Sequence, residues 1–514
     1  MRVNGAESLV RTLVASGIDT CFANPGTSEM HFLAALDRVP GIRCILGLHE
    51  NVVTGAADGF ARMTGRPAAT LLHCGPGLAN GVACLHNARR AASPIVNLVG
   101  DQATHHQPLD PPLTTDTEGF ARPVSAWVRT ARDAASVGAD AAVAVQAART
   151  APGQIATLIL PSDTCWNEGG VVAAPLPVPE RSPAAPAAIE QAATLLRNGE
   201  PTMLVLGGVA LQAEPLVLAQ RLAAATGATL IAALSNARME RGRGRPPIER
   251  VPYGTDAATE ALRGIRQLIV VGTRRPVNFF AYPGKPPTAV PEDCLVHVLA
   301  RPEQDVVAAL AELADRLAAP AVEPVRVAKP VAGKGRPTSE SVAETLGAVM
   351  PEGAIVADES VSFGRDFFRQ THGAVPHDWL QNMGGAIGHG PPLATGAAVG
   401  APGRRVINMQ ADGSAMYTLQ ALWTQAREKL DVTTVILANR RYQILLGELA
   451  GVGANPGRTA MDMLNLGDPS LDWISLAAGM GVEAASTDTL EGFADLLAAS
   501  CRRPGPFLIE LLID

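Results

Sequence analysis

Two oxygen-bearing side chains stand where apolar runs end. In RVINMQADGSAMYTLQALWTQAREKLDVTTVILANRRYQIL, the run VINMQ leads into Ala411-Asp412-Gly413-Ser414 and the run TTVILA ends at Asn439, 27 residues after Asp412. If both runs are strands of one sheet, a carboxylate and an amide meet at one edge. Both are hard oxygen donors, which suit Mg²⁺ or Ca²⁺ better than Zn²⁺. Gly413 lets a ligand approach the backbone. Ser414 and the amides that open the following helix can donate to phosphate. Taken singly, Asp412 could be only a helix cap and Asn439 only the start of a turn.

A second acid stands at a similar joint. In LGLHENVVTGAADGFARMTGRP an apolar run ends at His49-Glu50, and small residues follow at helical spacing. An acid in a first helical turn is ordinary, because it faces the positive end of the helix dipole. Glu50 alone therefore reads more readily as a cap than as a proton-handling group. His73 ends the run AATLLH before CGPG, a place where a satisfied structural histidine is also common.

These residues need parallel sheets to position them. Short apolar runs alternate with amphipathic stretches throughout: TCFANP, CILGL, AATLLH, PIVNLVG and QIATLILP, then TMLVLGG, ATLIAA, QLIVVG and CLVHVLA, then GAIVADE, RVINMQAD, TTVILAN and PFLIELL. Such alternation predicts an α/β protein of doubly wound parallel sheets covered by helices, whose ligands gather at the carboxyl ends of the strands. Two Pro- and Ala-rich stretches, residues 171–188 and 318–340, read as linkers. They divide the 514 residues into three segments, 1–170, 189–317 and 338–514.

Composition narrows the function. Apolar residues make up 47 % of the chain, charged residues 18 % and aromatics 4 %, and the net charge is −7. Neither a basic surface nor an aromatic stacking surface for nucleic acid is implied. No run approaches the ~18 apolar residues of a membrane span. The N-terminal MRVNGAESLVRTLVASG has the pattern of a folded helix rather than a leader. Seven scattered cysteines with no CxxC pair read as reduced thiols, which points to the cytoplasm.

The ADGS and AN motifs, with NPGTSEMHFLAAL, the His49-Glu50 segment and HCGPGLANGVACLHNARRAASPIVNLVGD in that order, resemble the thiamin-diphosphate (ThDP)-dependent decarboxylase and acetolactate synthase superfamily over nearly the whole chain. The likeness is nearest to short acetolactate synthase-like proteins of the IlvX type, then to benzoylformate decarboxylase. The motif usually reads GDGS and NN in that family; here the flanking positions differ, while Asp412 and Asn439 remain. The resemblance implies that residues 1–170 bind the pyrimidine, 189–317 form a middle domain and 338–514 bind the diphosphate. ThDP and Mg²⁺ would be the cofactors, with Asp412, Asn439 and Arg441 at the metal and Gly413 and Ser414 at the diphosphate. Glu50 would face the aminopyrimidine and promote formation of the C2 ylid. Gly385 and Ile387, in MGGAIGHGPP, would contact the cofactor, with Ile387 as the apolar wedge beneath it.

The same resemblance assigns the substrate side. His73 would handle protons on the intermediate. Thr27, with Ser28 next to it, aligns with a serine that meets the substrate carboxylate. Phe279 and Phe280 stand where benzoylformate decarboxylase has a second histidine, so Phe280 would border the substrate and capture of the enamine by a second carbonyl compound would be favoured. The tryptophan-bearing stretch of acetolactate synthases is absent from RRYQILLGELAGVG. The middle segment offers a single GG turn, so FAD is not expected. The expected activity is therefore decarboxylation or carboligation of a small 2-oxo acid. A true acetolactate synthase catalytic subunit and a non-catalytic ThDP-binding homologue are the alternatives. A homodimer or homotetramer with active sites between chains is implied, with no nucleic-acid or membrane partner.

Overall fold

The computed structural model describes residues 3–323 and 325–513. The N-terminal stretch is a helix, Gly5–Ala15, capped by Asn4, whose side chain accepts the Glu7 amide. Three sheets follow. The first comprises β1 (Thr20–Ala23), β2 (Arg43–Leu46), β3 (Ala68–Leu72), β4 (Ile95–Asp101), β5 (Trp127–Thr130) and β6 (Ile155–Pro161) in the order β2-β1-β3-β4-β6-β5. From β7 (Thr202–Leu206), β8 (Thr229–Ala232), β9 (Met239–Arg241), β10 (Gln267–Val271) and β11 (Leu295–Ala300), four build the second sheet, in the order β11-β10-β7-β8. The third contains β12 (Ile355–Glu359), β13 (His377–Gln381), β14 (Val406–Ala411), β15 (Val432–Ala438), β16 (Glu483–Thr487) and β17 (Phe507–Leu512), and β9 completes it in the order β16-β17-β15-β14-β12-β13-β9.

The architecture is α/β with largely parallel sheets, as the alternation predicts. Each apolar run named above forms a strand. Four strands carry no such run. β5, β13 and β16 are short and mix polar with apolar residues, and β9 has only three residues. β9 departs from the parallel pattern: it pairs antiparallel with β13 at the edge of the third sheet, although its sequence lies between strands of the second. An edge accepts an antiparallel strand without disturbing the helices that cover the faces.

The described residues of both proline-rich stretches run without long regular structure. Residues 186–188 are one exception: they open the helix Pro186–Arg197, where Pro186 occupies the first turn and its missing N–H costs nothing. In the second stretch, residues 339–340 likewise open a helix, Ser339–Val349, which Thr338 caps.

The first and third sheets are joined by two helices in backbone contact. Glu50–Thr64 lies on Gly390–Gly400 so closely that a Cβ on Gly396 would sit 1.8 Å from the Ala56 carbonyl oxygen, and one on Gly59 2.1 Å from that of Leu393. Glycine is required at this crossing by proximity. Beside it, buried Asp58 pairs with Arg62 at 2.6 Å and with His389 Nε2 at 2.9 Å. Arg62 also donates to the carbonyls of Gln381 (2.6 Å) and Ala237 (3.2 Å). The Asp58 carboxyl is held far below its usual range: burial alone would raise it, but Arg62 and His389 together prevail.

Candidate active site

β14 and β15 are parallel neighbours, with Ala411 opposite Leu437, so Asp412 and Asn439 do emerge at one edge. Asp412 is 3 % exposed. Its Oδ1 accepts the Gly413 amide at 2.8 Å and its Oδ2 accepts the Arg440 amide at 2.7 Å. Burial raises its pKa, and the groups that oppose this are backbone amides. Asn439 Oδ1 accepts the Arg441 amide at 3.1 Å, which makes the turn. The cap and turn readings are thus geometrically true, and both side chains keep free lone pairs toward an open cleft. That cleft is lined by Ile387, Asp412, Gly413, Ser414, Asn439 and Arg441 among others. The donor set is hard oxygen, and a buried carboxylate there favours a cation beside it. The residues present therefore fit Mg²⁺ and a diphosphate. A guanidinium cannot ligate a cation, so Arg441 could contribute only its carbonyl oxygen.

The loop that carries Ile387 is pinned from below. Asn382 Oδ1 accepts the amides of Gly384 (3.2 Å) and Gly385 (2.9 Å), and its Nδ2 donates to the Ala386 carbonyl at 2.7 Å. Gly385 and Gly388 take φ of +81° and +84°, where a side chain would be strained. Buried Glu359, at the end of β12, accepts the amides of His389 (3.2 Å) and Gly390 (2.8 Å), and also Asn382 Nδ2 and Gln410 Nε2. Its charge sits at the positive end of the helix Gly390–Gly400. From the helix Cys74–Ala91, Asn87 grips Ala386 through both the Ala386 amide and carbonyl, at 3.2 and 2.8 Å. From the middle segment, the Phe279 ring lies against Gly385: a Cβ there would be 2.9 Å from its Cζ. Phe280 packs edge-on against Phe279 and is 52 % exposed, so Phe279 is the ring that reaches this loop.

The other chemical groups collect at the carboxyl edge of the first sheet. The helix Glu50–Thr64 is capped by His49, whose Nδ1 accepts the Asn51 amide at 3.1 Å. This relieves Glu50 of the capping task. Its half-buried carboxylate instead accepts Asn80 Nδ2 at 3.1 Å, and a Cβ on Gly77 would crowd it at 3.0 Å. Around His73, Nδ1 lies 3.0 Å from Glu29 Oε2 and 3.1 Å from Ser28 Oγ, and Ser28 donates to Glu29. Gly26 must be small, because its Cβ would strike the His73 ring at 2.2 Å. Ser28 is therefore part of the His73 cluster, while Thr27 is exposed beside it. Burial pushes the neighbouring Cys74 thiol up to about 11, which keeps it a spectator.

Sequence reasoning missed Glu29, Glu359, Asn382 and Asn87. Glu359 had a signal, as the acid that ends the run GAIVADE. The other three lie in loops or on a helix, and only the fold shows what they hold.

Known proteins place this arrangement. The family described as Thiamine pyrophosphate enzyme matches through its N-terminal TPP binding domain over residues 3–121 and its C-terminal TPP binding domain over residues 364–511. A protein of Mycobacterium tuberculosis named "Putative acetolactate synthase large subunit IlvX" is 51 % identical over 99 % of both chains. Benzoylformate decarboxylase of Pseudomonas aeruginosa is 30 % identical over 96 % of both. The solved structure of a thiamine diphosphate-dependent 4-hydroxybenzoylformate decarboxylase from Rhodococcus jostii RHA1 superposes with a TM-score of 0.81 at 25 % identity, over 100 % of this chain and 99 % of that one.

The chain belongs to the thiamine pyrophosphate enzyme family. Within it, this is a ThDP-dependent enzyme of the acetolactate synthase and benzoylformate decarboxylase kind.

Proposed function

We propose that the protein is a ThDP- and Mg²⁺-dependent 2-oxo acid decarboxylase or carboligase. The observation that carries this is the single cleft uniting Ile387, Asp412, Gly413, Ser414, Asn439 and Arg441. Asp412, Asn439 and the Arg441 carbonyl would hold the metal, with Gly413 and Ser414 at the diphosphate. Gly385 and Ile387 would orient the cofactor rings. Bound ThDP would supply a carbanion able to add to the keto carbon of a 2-oxo acid and to accept the electrons released with CO₂.

The chain's own groups would do the rest. Glu50, freed from capping, would hold or release a proton at a ring nitrogen of the cofactor. With Glu29 accepting from Nδ1, His73 would keep Nε2 toward the reactants as a proton donor or acceptor. Thr27 and Ser28 would meet the substrate carboxylate, and the Phe279 and Phe280 pair would border its far end without offering a proton. This disposition favours capture of the acyl unit by a second carbonyl compound.

Glu50 and His73 stand on one sheet and the metal ligands on another, and no hydrogen bond joins the two sets among the described residues. A homodimer, or a pair of such dimers, would bring Glu50 of one chain to the diphosphate cleft of its partner. The three segments 1–170, 189–317 and 338–514 would then be the pyrimidine-binding, middle and diphosphate-binding domains. None of the described helices is long and apolar enough to cross a membrane, in keeping with a proposed cytoplasmic setting.

The test is a product profile by NMR. Purified protein with ThDP and Mg²⁺, and without FAD, is incubated separately with pyruvate and with benzoylformate. Acetolactate, acetoin or benzaldehyde, absent with Glu50→Gln, is the expected result. Bound ThDP with no product from any 2-oxo acid overturns the proposal.

A further inference from the structure

The first sheet holds a pair of thiols that the proposed chemistry does not use. Cys21 in β1 and Cys44 in β2 are direct register partners. Residues opposite one another on adjacent strands project to the same face, and neighbouring strands lie ~4.8 Å apart. A disulfide needs a Cα separation of ~4.4–6.8 Å, so the backbone already satisfies it. Each thiol shifts the other's pKa, and the Cys21 thiol donates to the Phe22 carbonyl at 3.7 Å. Their access differs: Cys21 is fully buried, while Cys44 is exposed on the edge strand.

We propose that Cys21 and Cys44 are a redox modification site, closing to a reversible disulfide when the exposed Cys44 meets a peroxide. The division of roles follows from their surroundings. The Cys21 side chain holds the Cys44 thiol below its usual range, so Cys44 forms the thiolate more readily. The Cys44 side chain and burial push Cys21 well up, which keeps it a protonated resolving thiol.

The chemistry balances with hydrogen peroxide as the oxidant. The Cys44 thiolate attacks one peroxide oxygen, the O–O bond breaks, and hydroxide leaves to become water. Cys44 is then a sulfenic acid. The Cys21 sulfur attacks the Cys44 sulfur, the S–S bond forms, the S–O bond breaks, and the second water departs with the proton from Cys21. Two thiols and one peroxide give one disulfide and two waters, with two electrons passing from sulfur to oxygen. The strands tied together are the two that lead into Asn24–Glu29 and into Glu50, so the bond would link the bases of both loops. Interrupting oxidation at the disulfide also protects Cys44 from the irreversible acids further along.

The test is peptide mapping of the folded full chain after a graded peroxide pulse, with dimedone present to trap sulfenic acid. Wild type should yield a linked Cys21–Cys44 peptide, lighter by two hydrogen atoms and reopened by dithiothreitol. Cys21→Ser should carry at least ten times more dimedone on Cys44 than wild type, since nothing resolves the sulfenic acid. Cys44→Ser should leave Cys21 unoxidised. Circular dichroism of each variant establishes that it is folded. Two results would overturn the proposal. One is Cys44 in wild type gaining oxygen with no linked peptide. The other is Cys44 staying untouched at a peroxide dose that oxidises the half-buried Cys294 and Cys501.

Discussion

Replacing Gly396 by alanine tests how the two halves of the site are joined. The new Cβ would lie 1.8 Å from the Ala56 carbonyl oxygen and 2.8 Å from the Phe60 amide nitrogen. Ordinary contact begins near 3.4 Å, so the helices Glu50–Thr64 and Gly390–Gly400 must separate by about 1.6 Å (3.4 less 1.8) at this point. The obstructing atoms are backbone and cannot rotate aside. Overpacking of this sort costs about 1–3 kcal/mol, and this site belongs at the upper end. Alanine returns about 1 kcal/mol through helix propensity. The net loss is about 2 kcal/mol, up to about thirtyfold in the folded-to-unfolded ratio. The moving helix begins at Gly390, which Glu359 ties to the Ile387 loop, so ThDP affinity should fall as well. The assay is urea unfolding followed by circular dichroism, with ThDP titration on the folded variant. Gly447→Ala is the comparison, because a Cβ there meets nothing within 4 Å; it should be neutral or slightly stabilising. If Gly396→Ala matched Gly447→Ala in midpoint and kept wild-type ThDP affinity, the close crossing would not be what aligns the site.

Three further outcomes follow from the geometry. Asp58→Asn leaves Arg62 buried without its carboxylate, and breaking a buried pair in this way should cost about 3–5 kcal/mol in the same unfolding assay. His377 is held neutral by burial, with Arg241 nearby, and its pKa falls to about 3, against about 6.5 in an unfolded chain. The unfolded state therefore binds the extra proton between those values. Stability from this site is complete above pH ~6.5 and drains as the pH falls toward about 3, and His377→Gln should flatten that part of the stability–pH curve. Finally, Glu50→Gln and Asp412→Asn chains, each inactive alone, should regain about a quarter of wild-type activity when unfolded together and refolded as an equal mixture. Half of the random dimers are then hybrid, with one of two sites intact. No recovery would place both residues in one chain's site.

The sequence was most informative where one residue type does one physical job. Buried parallel strands need unbroken apolar runs, so runs such as AATLLH and TTVILA announced themselves, and the polar residues that end them announced the cleft. Short edge strands lack that signal: β9 has three residues and joins a sheet far from its sequence neighbours. Glu50 shows a different boundary. Local pattern left it divided between cap and catalyst, and only the position of the His49 ring assigns the cap. Glu29 and Asn87 act across 44 and 299 residues respectively, on His73 and Ala386, and no spacing rule spans such distances. Adjacent positions also divide by orientation alone: Ser28 turns to His73 while Thr27 faces out, and Phe279 reaches Gly385 while Phe280 packs behind it.

The most direct test of the central claim is calorimetric titration of ThDP into the wild type and Asp412→Asn, with Mg²⁺ and then with a chelator. The account predicts one ThDP per chain, binding that is lost on chelation, and an affinity at least about tenfold weaker in Asp412→Asn, since the carboxylate charge opposite the metal is gone. Equal binding by the two proteins, or binding indifferent to the chelator, would contradict it and remove the cleft between β14 and β15 from the cofactor site.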